Sequence, residues 1–264
     1  MTSKQTINSL ERALSILEYF GPDVRTASMS ALSEDLGIPL ASAYRIVRTL
    51  ERRGYLRRDE ATRELTLGLS LVHLGRLVTE QLDVRAAARP VMERLAESGG
   101  ETAVLLIPHR HKAVCVEIIE GTSPIRPRSI LLGETHHYNA GAIPMALLAG
   151  LSPDEIEEVL GGPLPSLAPR TITDPDVLRA RLKEIQAAGY AYSRDEMIEG
   201  TAAVGVPILA SSAGYAVAAL GLTGIAKRIA GLERLVLDAT AEIEAALGGG
   251  GRRREEDPQH ASSA

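Results

Sequence analysis

The chain contains no tryptophan, one phenylalanine and one cysteine. A lone cysteine, Cys115, excludes an intramolecular disulfide and a cysteine-rich zinc module. With so few aromatic rings, the core must be aliphatic. No apolar run approaches the roughly 18 residues that span a bilayer, and the opening MTSKQTINSL lacks the apolar centre of a secretory signal, so a cytoplasmic protein is expected. A phosphate-cradling glycine motif is missing too, because the glycine run at 248–251 has no strand before it and no helix after it. What remains is a chain of 264 residues, 45% apolar, long enough for two ordinary domains.

Helix, turn and charge signals converge on residues 30–63. A first short helix, capped by Ser30, would bury Leu32 and Leu36 and stop at Gly37, which accepts the left-handed conformation of a helix C-terminus. Pro39 would open a second helix reaching about Arg53. On that helix Ala43, Ile46, Val47 and Leu50 recur at helical spacing as a buried stripe, while Ser42, Arg45, Arg48, Thr49 and Arg52 face away. Gly54 ends it, and strands at 55–58 and 63–67 around a turn at 59–62 complete a winged helix-turn-helix. Between Pro39 and Arg63, seven arginines stand against Glu51, Asp59 and Glu60, a local charge of +4 in a chain of net charge −5. The rest of the chain therefore carries about −9. Counterion release from DNA needs such a local cluster, and a helix of this shape fits the major groove. A solvated basic face is the alternative; the adjacent hairpin favours DNA.

The run Ser9-Leu10-Glu11-Arg12-Ala13 through Leu17, with Leu36-Gly37-Ile38-Pro39, Ser42, Tyr44-Arg45, Thr49-Leu50 and Gly54-Tyr55-Leu56, resembles the IclR family of bacterial transcription regulators. Similar motifs continue, so the resemblance spans about residues 6–247. It implies a DNA-binding winged helix joined to an effector-binding, GAF/profilin-like domain, working as a homodimer or homotetramer on a pseudo-palindromic operator, more often as a repressor. Residues expected to meet double-stranded DNA are Pro39, Ser42, Tyr44, Arg45, Arg48 and Arg52 of the second helix, with Arg57, Arg58 and Arg63 of the wing on the backbone.

Before this stretch, Asn8 and Glu11 suggest a capping box for a helix with Ile7, Leu10, Leu14 and Leu17 on one face. After it, Leu69, Val72, Leu77 and Leu82 suggest a linker helix at 69–89, interrupted or restarted near Pro90. Such a helix has little of its own domain to cover, so its apolar side chains are expected on a second subunit. The expected division is 1–68 for DNA binding, 69–89 for the linker, 90–247 for the effector domain and 248–264 for a flexible polar tail, with the boundary near Asp83. Helices are expected at 90–98, 142–149, 153–160 and 226–247, and one from Asp174 with Val177, Leu178, Leu182, Ile185 and Ala188 inward. The β-rich runs 102–107 and 113–119 flank a turn at 108–112, and 203–210 and 215–223 flank one at 211–214. Ile130-Leu131-Leu132 reads as a short strand or loop. Hairpins separated by helices give an antiparallel sheet flanked by helices, an α+β domain.

In this second domain the resemblance rests on Glu101-Thr102, Ala140-Gly141-Ala142, Leu147-Leu148-Ala149, Gly189-Tyr190-Ala191, Glu196, Gly200, Val206-Pro207 and 214–223. It implies a small organic ligand at one end of the sheet, meeting backbone N–H groups at Gly141 and Ala142, with Ser193, Ala203, Gly221 and Thr223 as further contacts. A glycine before a helix N-terminus offers unpaired donors to an anion. Pro144-Met145 stands where the family commonly has Gly-Lys, removing a donor and a charge. Together with the small residues at 193, 203 and 221, this favours an effector bulkier and more apolar than glyoxylate, an aromatic or aliphatic acid.

No catalytic set emerges. Cys115 sits in an apolar alternating run and reads as a buried structural thiol. His109, His111, His136 and His137 could gather around a metal, but no helical spacing or cysteine supports it, and exposed loop histidines are the plainer reading. Asp195 and Glu196, adjacent on an expected strand, would face opposite sides, leaving Glu196 structural or at a pocket rim. No cofactor is implied. Three readings stand: a ligand-responsive regulator, favoured; an enzyme with a basic appendage; and a sensor that pairs with proteins.

Overall fold

The computed structural model describes residues 7–21, 23–125, 130–209 and 214–249. They fall into two compact units that divide between Gln81 and Leu82.

The first unit comprises α1 (Asn8–Glu18), α2 (Met29–Asp35), α3 (Leu40–Arg52), the hairpin β1 (Leu56–Arg58) and β2 (Leu65–Leu67), and α4 (Ser70–Glu80). Ile16, Leu32, Ala43, Val47, Leu56 and Leu65 make its core. Ser28 rather than Ser30 caps α2: its backbone is extended and its Oγ accepts the Ala31 N–H at 3.1 Å, while Ser30 lies inside the first turn. Nor does Asn8 cap α1, whose N-cap is Ile7 with no side-chain bond. Both helices around the turn end on left-handed glycines. Gly37 and Gly54 hold φ +61° and +74°, letting Ile38 N–H return to Ser33 O and Tyr55 N–H to Leu50 O. Pro39 is the N-cap of α3 rather than its first residue. Arg63 belongs to the wing turn, at φ +63°, rather than to the returning strand. On the expected apolar face of α1, Ile7, Leu10 and Leu14 are exposed while Leu17 packs partly buried against the core, and Leu69, Val72, Leu74, Leu77 and Val78 around α4 are exposed too.

The second unit opens with α5 (Asp83–Gly99). The helix expected at 69–89 breaks at Gln81–Leu82, where Leu82 turns extended, and Pro90 lies inside α5. An interior proline costs about 3 kcal/mol. Here the buried stripe Val84, Ala88, Val91, Met92, Leu95 and Ala96 continues on both sides of it and offsets that cost.

The strands are β3 (Thr102–His109), β4 (Lys112–Ile119), β5 (Thr135–His136), β6 (Ala191–Arg194), β7 (Thr201–Leu209) and β8 (Ala216–Ile225), forming one antiparallel sheet in the order β5-β4-β3-β8-β7-β6. The helices are α6 (Ala142–Ala149), α7 (Pro153–Leu160), α8 (Pro175–Ala188), α9 (Ala226–Ile229) and α10 (Glu233–Gly249). α5 and α10 cover one face of the sheet, and α6, backed by α8, covers the other.

Ile130-Leu131-Leu132 is loop. β5, too short to show a period, matches no expected strand, and β6 ends at Arg194, before Asp195 and Glu196, which were expected on a strand. On α8, Asp174 is the N-cap, but Val177 and Ala188 are exposed, and only Leu178, Leu182 and Ile185 point inward. The helix expected at 226–247 is divided by Gly231 at φ +89°. Most of the turn at 211–214 and the tail from 250 onward lie outside the described residues. Among the described residues, no helix is long and apolar enough to cross a membrane.

Candidate nucleic-acid interface and effector site

α3 is strictly two-faced. Ala43 and Val47 are wholly buried, whereas Tyr44, Arg45, Arg48 and Arg52 are exposed and Ser42 is half-buried. Arg45, Arg48 and Arg52 make no ion pair among the described residues, so the face presents unneutralised cations. Pro39, also exposed, sets the entry to the helix. A cavity of about 380 Å³ between α1 and α3 is lined by Ser42, Arg45 and Thr49, and by Arg12, which the sequence pattern did not single out.

In the wing Arg57 and Arg63 are exposed. Arg58 is different. Its Nε meets Glu51 Oε1 at 2.8 Å and its Nη1 donates to Arg63 O at 3.2 Å, tying the wing to α3. Its charge is committed inside the domain.

In the second unit, five of the six expected effector residues come together. Gly141, Ala142, Ser193, Ala203 and Thr223 line one cavity with Ile130, Ile143, Pro144, Asp195, Glu196, Met197, Thr201 and Ala202. Gly221 does not line it. A Cβ there would stand 2.3 Å from Val204 O and 2.4 Å from Ile143 Cγ1, so this glycine lets α6 approach the sheet. Its cross-strand partner, Gly205, does the same beneath Ile143 Cα and Ala142 O. That glycine pair fixes where the first turn of α6 lies.

Gly141 is the N-cap at φ +87°, and all eight residues of α6 are buried. Met145 points into the core and not into the cavity, so its replacement of a lysine alters packing rather than a ligand contact. Pro144, at the third helical position, removes a donor that the helix could not have paired.

The two backbone donors are occupied. Gly141 N–H reaches Glu196 Oε2 at 3.2 Å, and Ala142 N–H reaches Ser193 Oγ at 2.8 Å. About 10 Å³ of free volume remains, the lower limit for one water. Burial pushes the Glu196 carboxyl up to about 7, against the opposing pull of the Gly141 N–H and of Arg181. Asp195 and Glu196 lie beyond β6 in a turn, with Asp195 at φ +61°, so they do not face opposite sides of a strand; both line the cavity.

The loop behind is tied to both walls. Asn139 Nδ2 donates to Pro165 O and Ile172 O, and Thr171 Oγ1 donates to Glu196 O at 2.6 Å. A larger cavity of about 770 Å³, between α8, α10 and the end of β7, contains none of the expected effector residues.

Cys115 is buried and its thiol is pushed up to about 12 by that burial, which suppresses the thiolate. His136 is no loop histidine: it lies in β5 opposite Ala113 of β4, it is buried, and that burial lowers its pKa from the ordinary imidazole value. His109 and His111 sit at the β3–β4 turn, and no three potential ligands converge among the described residues.

Residues 9–60 match the IclR helix-turn-helix domain, and residues 76–246 match the family described as bacterial transcriptional regulator IclR C-terminal. The HTH-type transcriptional regulator KipR of Bacillus subtilis (strain 168) is 35% identical over 229 residues, covering 84% of this chain and 90% of KipR. The HTH-type transcriptional repressor AllR of Klebsiella pneumoniae is 28% identical over 253 residues, covering 94% and 92%. Among solved structures, an IclR homolog complexed with 4-hydroxybenzoate from Microbacterium hydrocarbonoxydans matches with a TM-score of 0.79 at 26% identity, over 91% of this chain and 99% of that one. The IclR transcriptional regulator of Alicyclobacillus acidocaldarius shares the fold, with a TM-score of 0.80 at 24% identity over 92% and 100%. These relatives regulate transcription and are not enzymes. With both of its domains matched, the chain belongs to the IclR family of DNA-binding transcriptional regulators.

Proposed function

We propose that this protein is a cytoplasmic, effector-responsive repressor that binds a pseudo-palindromic operator as a homodimer or homotetramer, with one α3 per major groove. The observation that carries the reading is the α3 surface: exposed, unpaired Arg45, Arg48 and Arg52 over a buried Ala43–Val47 stripe. Ser42, Tyr44, Arg45 and Arg48 read bases or nearby phosphates, and Arg57 and Arg63 grip the backbone. Arg58 supports the wing from within. The exposed apolar residues of α1 and α4 support self-association, since Ile7, Leu10, Val72 and Val78 stay more than half exposed in one chain. Repression rests on likeness to AllR, an HTH-type transcriptional repressor.

The effector is a small organic acid, bound where Gly141 and Ala142 present their N–H groups, and it changes operator affinity by favouring one arrangement of the oligomer. The bound 4-hydroxybenzoate of the Microbacterium relative supports that class. The test is Gly141→Asp, whose side chain would collide with Met197 and repel an anion. Operator binding should survive and effector response should vanish in a gel-shift titration. Loss of both would sink the division of labour, and a retained response would move the effector to the 770 Å³ cavity.

A further inference from the structure

The seat at the start of α6 is filled by the chain itself. Glu196 Oε2 takes the Gly141 N–H, and Met197 Sδ stands 2.8 Å from where a Cβ on Gly141 would lie. The backbone presenting these two side chains is pinned on both sides. Thr171 Oγ1 donates to Glu196 O, Asp195 N–H to Thr201 O at 3.0 Å, and Gly200 N–H to Asp195 Oδ1 at 2.6 Å. Those bonds hold Asp195 in a left-handed conformation that a non-glycine residue rarely adopts. Glu196 and Met197 are only half-buried, and both are long and unbranched. Rotation about their side-chain bonds empties the seat with the backbone in place.

We propose that Glu196 and Met197 form a built-in plug that mimics the effector and sets its chemical class, a monocarboxylic acid on a compact apolar body. The carboxylate takes over the Gly141 N–H from Glu196, and the body takes the volume of the Met197 side chain. This rests on the effector reading above. The described walls favour a single charge: Ile130, Ile143, Ala202 and Ala203 are apolar, Asp195 and Glu196 are acidic, and among the described residues no lysine or arginine lines the cavity. A second carboxylate would be buried without a partner. Because the plug must leave first, the measured affinity is the intrinsic one multiplied by the fraction of molecules with an open seat.

The experiment is calorimetric titration of the full-length protein with benzoate, in wild type, Glu196→Ala and Met197→Ala, with amide NMR of Gly141 in the unliganded proteins. Each substitution should tighten benzoate binding about tenfold, E196A by freeing the Gly141 N–H, on the scale of one hydrogen bond to a charged group, and M197A by freeing the volume that the benzoate ring would fill. Phthalate, with its second carboxylate, should bind at least tenfold more weakly than benzoate throughout. The Gly141 amide resonance should move in E196A before any ligand is added. If benzoate binds wild type but both variants bind it equally or less well, the plug is overturned while the effector reading stands. If benzoate and pyruvate bind none of the three proteins, the effector reading falls and takes the plug with it. An unmoved Gly141 amide in E196A overturns the resident contact by itself, and M197A supplies the volume arm should E196A fold poorly.

Discussion

The two helices proposed to carry function, α3 and α6, are built on opposite plans. α3 buries Ala43 and Val47 and shows solvent a row of cations, so what it offers a partner is side chains. α6 buries all eight of its residues, so what it offers is the backbone N–H groups at its start. Truncating a side chain should therefore disarm α3 without unfolding it. α6 should resist truncation of its neighbours and fail when atoms are added beneath it.

The strongest way to break this contrast is Gly221→Val or Gly205→Val. Either forces a branched side chain into Ile143 and into backbone within 2.7 Å, and should cost about 3 kcal/mol or more, roughly 10 °C in thermal unfolding. An unchanged transition would mean that the glycine pair does not seat α6. Next in size, Arg45→Ala or Arg48→Ala should weaken operator binding by about 1–3 kcal/mol and relax sequence preference with thermal stability unchanged. Arg57→Ala should instead weaken all sequences alike and lower the salt slope by about 1. Identical behaviour of the two classes would erase the base-versus-backbone assignment.

Ser28→Ala should cost about 1 kcal/mol of stability, with Ser30→Ala nearly silent; the reverse order would restore Ser30 as the cap. A separate arm is the pH dependence of Glu196. Its folded value of about 7 lies above the ordinary 4.5, so the folded protein holds this proton more tightly than the unfolded chain. The stability it contributes is complete below about 4.5 and is lost as pH rises through about 7. Melting temperature should thus decline across that window by more in wild type than in Glu196→Gln, and parallel profiles would contradict the buried carboxyl.

The winged helix was legible because its devices are local: the glycine stops at 37 and 54, the 3- and 4-residue spacing of α3, and the arginine surplus. Ser28 and Ser30 were confused because both can cap, and only the extended backbone of Ser28 decides between them. The pocket was legible in part. Gly141, Ala142, Ser193, Ala203 and Thr223 do share a cavity, but Gly221, placed there by the family resemblance, lies outside it and lets α6 approach the sheet. Glu196 was misread as a strand residue, since nothing in its neighbours announces that Asp195 turns left-handed.

The sequence by itself determined the charge separation, the two-domain character and the chemistry of the α3 face, because spacing and composition act within a few residues. Tertiary structure alone decided that Arg58 is spent inside the wing, that Pro90 lies within a helix, and that Glu196 caps the Gly141 amide from 55 residues away. Each of those outcomes depends on which distant group arrives at a given atom, and no local pattern encodes that arrival.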